Sequence, residues 1–164
     1  MWIPERIPVD MQLGDSTRGL LVRLGAAVCF LPLADVIEIM RPRPVETLVG
    51  LPPFIRGVAI IRGAPVPVVD LGPVIGVSSP EARTRFVTLR IGPRSAALAV
   101  GGVVGVRDLD EESVGEMPPL LREASDDLIR TIGTLDAQLL VVLRAGRVVS
   151  QGVWDTLDAR KASS

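Results

Sequence analysis

What most constrains this chain is that it resembles itself. At an offset of 67, Thr17-Arg18-Gly19-Leu20-Leu21-Val22-Arg23-Leu24-Gly25 lies over Thr84-Arg85-Phe86-Val87-Thr88-Leu89-Arg90-Ile91-Gly92. Leu31, Leu33, Val36 and Ile39 then fall on Leu98, Val100, Val103 and Val106. At an offset of 74, Ile55-Arg56-Gly57-Val58 lies over Ile129-Arg130-Thr131-Ile132, and Val66, Val68 and Val69 fall on Leu140, Val142 and Leu143. A duplicated chain must fold as two similar units that bury surface against each other. The change of offset falls between Arg107 and Leu128, where Asp108, Asp110, Glu111, Glu112, Pro118 and Pro119 read as a solvated connection.

Within each unit the apolar runs are short and rich in β-branched residues: 20–24, 28–33, 58–61, 66–69, and then 86–91, 96–100, 132–135 and 139–143. Gly, Pro, Asp or Arg bounds them at hairpin spacing, which predicts strands. Arg62-Gly63 and Asp136-Ala137 read as equivalent hairpin turns. Pro65 and Pro67 cannot donate ladder hydrogen bonds and place their strand at an edge or bulge. Leu33, Ile37 and Met40 predict a short helix over 34–40, ended by Pro42. Val149, Val153 and Leu157, with Trp154 beside them, predict a C-terminal helix over about 147–158. The fold class is therefore all-β with short helices, in two small barrels packed on each other, over about 17–83 and 84–145.

Composition removes most chemistry. There is no histidine and a single cysteine, Cys29, so histidine-dependent nucleophiles, the common zinc sites, disulfides and iron–sulfur clusters are excluded. No cofactor or metal is expected. The net charge is -1, and the 18 basic residues, of which Lys161 is the only lysine, are scattered among 19 acids, so no nucleic-acid face is expected. The longest stretch without a charge, Ser95 to Val106, is twelve residues, against about 20 for a membrane-spanning helix, so no direct membrane insertion is expected. With no apolar leader in the first residues, the cytoplasm is the expected location.

Several segments invite a chemical reading. The glycines of 99–105 lack the Lys-Ser/Thr of a phosphate loop and read as a tight turn. Residues 108–112 lack the spacing of a calcium loop. Cys29 reads as a buried, inert thiol. A carboxylate-dependent enzyme using Asp70 and Asp136 as an acid–base pair is the reading from a different functional class. Arg62 is the most informative charge, because its repeat counterpart, Asp136, has the opposite sign. It is either a turn arginine in a salt bridge or a forked donor for a partner's carboxylate or backbone oxygen. Glu38 poses the same choice between solvated face and interface charge.

The order of these pieces resembles the CheW family, the coupling proteins of bacterial chemotaxis. The resemblance rests on the run from Leu51 to Leu71, which contains Pro53-Phe54-Ile55-Arg56-Gly57-Val58, Arg62-Gly63 and Val66-Pro67-Val68-Val69-Asp70-Leu71, preceded by Pro32, Val36, Glu38 and Ile39 at the family's spacing. It implies two SH3-like five-stranded β-barrels on a shared hydrophobic seam and no catalytic activity. It also implies an adaptor that joins chemoreceptor signalling tips to the regulatory domain of a chemotaxis histidine kinase, in the cytoplasm at membrane-associated receptor arrays. By resemblance, Val36, Glu38, Arg56, Gly57 and Arg62 fall in the kinase- and receptor-binding region, and Val87, Gly101, Gly102 and Val103 approach a groove between the barrels. The chain departs from the family pattern at Ile60, at Gly101-Gly102 and at Arg144, which admits a divergent scaffold of a non-swimming pathway such as surface motility.

Overall fold

The computed structural model describes residues 16–73, 82–110, 129–135 and 138–163. Among these residues ten strands and one α-helix follow in order: β1 (Ser16–Leu24), β2 (Ala27–Pro32), β3 (Val36–Met40), β4 (Ile55–Ile61), β5 (Ala64–Val69), β6 (Arg85–Ile91), β7 (Arg94–Val100), β8 (Gly102–Asp110), β9 (Ile129–Leu135), β10 (Gln138–Leu143) and α1 (Gln151–Ser163). They form two five-stranded sheets, ordered β8-β1-β2-β10-β9 and β3-β6-β7-β5-β4. Replacing every strand of the first sheet by its repeat counterpart yields the second.

The duplication therefore survives as a pseudo-twofold topology, and the halves exchange strands: each sheet combines the first hairpin of one half with the third, fourth and fifth strands of the other. The correspondence reaches single residues. The parallel pair Val142↔Phe30 in one sheet is Val68↔Ala97 in the other. The register shift between Val36 and Glu38 against β6 recurs at Val103 and Gly105 against β1. The shift between Ile55 and Gly57 recurs at Ile129 and Thr131.

Strand alternation explains how the core is divided. Leu20, Val22, Leu24, Cys29, Leu31, Val141 and Leu143 of the first sheet meet Val69, Val87, Leu89, Leu98 and Val100 of the second in one central seam. The opposite faces form two smaller clusters, one around Leu21, Val28, Phe30 and Leu140, the other around Ile61, Val66, Val68 and Phe86. Central strands buried on both faces read as continuous apolar runs, as β2 and β7 do. Each fully buried aliphatic side chain contributes about 1.5–3 kcal/mol, so the seam is what joins the sheets.

The structure corrects four expectations. The helix expected over 34–40 is a single 3-10 turn, Leu33–Asp35, followed by β3. Val36, Ile37 and Ile39 are β-branched, and of the expected helical stripe Leu33 and Ile37 remain exposed while only Met40 packs on a core cluster. Residues 102–110, read as a turn and the start of a loop, are a nine-residue strand paired with β1, and Arg18 Nε donates to Asp108 Oδ1 across that pair at 3.0 Å. The proline strand, β5, lies between β4 and β7 rather than at an edge; its ladder with β7 begins only at Val68, so Pro65 and Pro67 need no donor on that side. The C-terminal helix begins at Gln151, with a separate 3-10 turn over Ala145–Arg147. Ser150 caps it, its carbonyl accepting from Val153 and Trp154 N–H at 3.1 Å. Val149 thus precedes the helix, although Val149, Val153 and Trp154 do pack on the seam.

Candidate functional site

The site is built where the turn between β4 and β5 reaches β3, at the other end of the second sheet. Arg62 and Gly63 form the two-residue turn between β4 and β5, with φ of 52° and 80°. Two left-handed residues in succession are what a tight right-twisted hairpin requires, and Arg62 is the only non-glycine residue with positive φ among those described. The turn sends its guanidinium across to β3, where Nε donates to Glu38 Oε1 at 3.0 Å and Nη2 donates to Oε2, making a forked pair. Glu46, in the segment after β3, and Val58 of β4 exchange backbone hydrogen bonds of 2.8 and 2.9 Å.

The Arg62 side chain is 75% exposed and that of Glu38 22%. Arg62 holds the Glu38 carboxyl below its ordinary value, with Arg43 a lesser contributor, against the upward push of partial burial. An ion pair this exposed contributes little to stability. Two of the guanidinium's five N–H groups are engaged with Glu38. The same strands carry exposed apolar residues, Ile37 and Ile39 on β3, each 44% exposed, and Ile60 on β4, 63% exposed; alternation sets Ile39 on the opposite face of β3 from Glu38, and Ile60 lines a groove toward α1. Strand alternation puts Ile60 outward between buried Ala59 and Ile61, a signal legible in the sequence but overlooked there.

The other expected site residues separate into two groups. Arg56 is exposed at the β4 bulge. Gly57 is buried, with φ of 146°, and a Cβ there would collide with the Glu46 carbonyl and come 3.0 Å from Thr47 Cα. Its role is close backbone approach. Val36 and Val103, equivalent by the repeat, are partly buried against the central seam. Val87 has no exposed surface, and Gly101 and Gly102 are buried at the β7–β8 turn. Gly101 N donates to Arg23 O at 2.8 Å, and a Cβ on Gly102 would stand 2.7 Å from Arg23 Nη2. These residues lie at the seam, but of the four only Val103 presents surface.

The remaining chemistry is structural. Asp70 accepts from Arg83 Nε and Nη2 at 3.1 and 3.3 Å and from Gly72 N at 2.9 Å, so its carboxylate is committed to tying β5 to the segment before β6. Asp136 and Ala137, the other half of the expected acid–base pair and turn, lie outside the described residues. Burial pushes the Cys29 thiol up to about 12. A groove of about 530 Å³ between β4–β5 and α1 is lined by Val58, Ile60, Pro65, Trp154 and Leu157. At its end Arg94 stacks 4.8 Å from the Trp154 ring centre and donates to Asp158 at 3.0 Å, fastening the helix. Among the described residues no three acids or cysteines are grouped to hold a metal, and no helix is long and apolar enough to cross a membrane.

Comparison with known proteins agrees with this architecture. Chemotaxis protein CheW of Klebsiella aerogenes is 28% identical over 134 residues, covering 80% of each chain. The gliding motility regulatory protein of Myxococcus xanthus is 29% identical over 89% of this chain but only 18% of its own length. The crystal structure of the scaffolding protein TtCheW from Thermoanaerobacter tengcongensis superposes with a TM-score of 0.69 at 22% identity, over 84% of this chain and 95% of that one, and so shares the fold. Residues 18–152 match the CheW-like domain profile. With its exchanged five-stranded sheets and its match over most of its length, the chain belongs to the CheW-like domain family of non-catalytic scaffolding adaptors.

Proposed function

We propose that this chain couples the signalling tips of chemoreceptors to the regulatory domain of a chemotaxis-type histidine kinase, in the cytoplasm at receptor arrays. The observation that carries the reading is the Arg62–Glu38 fork: an arginine held in a left-handed turn, three-quarters exposed, and paired with a carboxylate on β3, where the other half has neither residue. A preorganised, exposed guanidinium matches the composition of protein interfaces, where Arg is enriched among the residues that contribute most of the binding energy. A second reading, a scaffold for surface motility, draws on the similarity to the Myxococcus xanthus gliding motility regulatory protein. It differs in the partners served and keeps the same surface.

A size-exclusion titration against the regulatory domain of the chemotaxis-type kinase from the same genome, with and without a receptor-tip fragment, tests the proposal. Co-elution with either is the expected result. If the folded chain elutes alone from every mixture, the coupling role is wrong.

A further inference from the structure

Thr88 is the one buried polar residue among those described, 3% exposed in the middle of β6. Its hydroxyl does not serve the core. Oγ1 accepts from Glu38 N at 3.1 Å and donates to Glu38 O at 3.3 Å, so it binds the backbone on both sides of the Glu38 Cα. This happens at the bulge where Ile37 is the extra residue and Glu38 stands opposite Thr88.

The repeat supplies the control. The equivalent bulge in the other sheet sets Gly105 opposite Leu21, with no hydroxyl at that place. There the bulge forms without a threonine, around a glycine with φ of 153°, a conformation that Glu38 does not adopt. The hydroxyl is present only in the half whose bulge residue carries a carboxylate engaged by Arg62. We propose that Thr88 is a positioning residue: its buried hydroxyl fixes the Glu38 backbone so that the carboxylate meets the Arg62 guanidinium. The inference rests on the proposed partner surface only for its consequence in binding; the positioning itself is a property of the free chain.

Thr88→Val keeps the shape and removes the hydroxyl, while Thr88→Ser keeps the hydroxyl. Carboxyl-detected NMR would follow Glu38 through a pH titration in both variants, each also with Arg62→Ala, and binding of the kinase regulatory domain would be measured alongside. In the valine variant the Glu38 midpoint is expected to rise toward the ordinary carboxyl value and lose its dependence on Arg62, with binding roughly fivefold weaker. The serine variant is expected to keep both. If valine does not fold, Thr88→Ala repeats the comparison. An unchanged Glu38 midpoint in the folded valine or alanine variant overturns the proposal. A shifted midpoint with unchanged binding supports the positioning role and counts instead against the Arg62–Glu38 surface as the partner site.

Discussion

The two sheets share a topology, a bulge and a register, and they differ in what they set upon that shared frame. In one, the outer-strand bulge carries Glu38 and the opposing turn carries Arg62; in the other, the equivalent positions are Gly105 and Asp136. Exposed aliphatic pairs occur on both outer strands, Ile37 and Ile39 on one and Val104 and Val106 on the other. Features common to both halves are what the fold needs. The forked ion pair, present in one half and costing a left-handed arginine, is what the fold does not need, and that asymmetry is the physical argument for a binding role.

The first contrast lies between two glycines of nearly equal conformation. Gly57 and Gly105 have φ of 146° and 153°, but a Cβ on Gly57 meets the Glu46–Thr47 backbone, whereas nothing lies within 4 Å of one on Gly105. Gly57→Ala is expected to destabilise by at least about 4 kcal/mol, by strain and backbone collision together, and Gly105→Ala by about 1–2 kcal/mol, by strain alone. Urea midpoints measure both, and equal values would show that the close approach at Gly57 is unimportant. The second contrast is at the end of each final ladder, where Asp70 has Arg144 as its counterpart. Asp70→Ala removes the forked carboxylate that holds the Arg83 side chain, 10% exposed, and is expected to cost about 2 kcal/mol through the lost charge-assisted hydrogen bonds. Arg144→Ala, exposed, should stay within about 0.5 kcal/mol.

How far this was legible follows from which signals are local. The duplication was readable because buried strands repeat their aliphatic pattern, and Arg62 stood out because its counterpart has opposite charge. The exchange of strands between sheets was hidden, because an offset relates residues without saying which hairpin pairs with which. Residues 34–40 and 102–106 failed together for one reason: they belong to equivalent outer strands, β3 and β8, whose outward residues there, Ile37, Ile39, Val104 and Val106, are apolar, so neither shows a polar alternation. Thr88 was invisible within an apolar run, although Leu21 at the equivalent position marked it as a departure. The committed role of Asp70 needed Arg83 brought beside it by the fold.

The smallest expected effects belong to the ion pair. Arg62→Ala should move the thermal midpoint by no more than about 3 °C at neutral pH. Because the Glu38 carboxyl lies below its ordinary value, the pair's contribution is complete above that value and disappears as the pH falls through the lowered one. The difference between wild type and Arg62→Ala should therefore vanish on acidification. Asp35 runs the other way: burial raises its carboxyl, so its penalty at neutral pH is relieved as the pH falls. Midpoints recorded for Asp35→Asn and Arg62→Ala across acid pH separate the two, and parallel curves would refute the assignment.

The central claim is that the half carrying Arg62 and Glu38 presents the partner surface. Calorimetric titration of the kinase regulatory domain and of the receptor-tip fragment into wild type and into Arg62→Ala, at low and moderate salt, tests it most directly. The account predicts that the folded variant binds at least one of the two roughly tenfold more weakly, with the difference shrinking as salt rises. Equal affinity for both partners at both salt concentrations would contradict it.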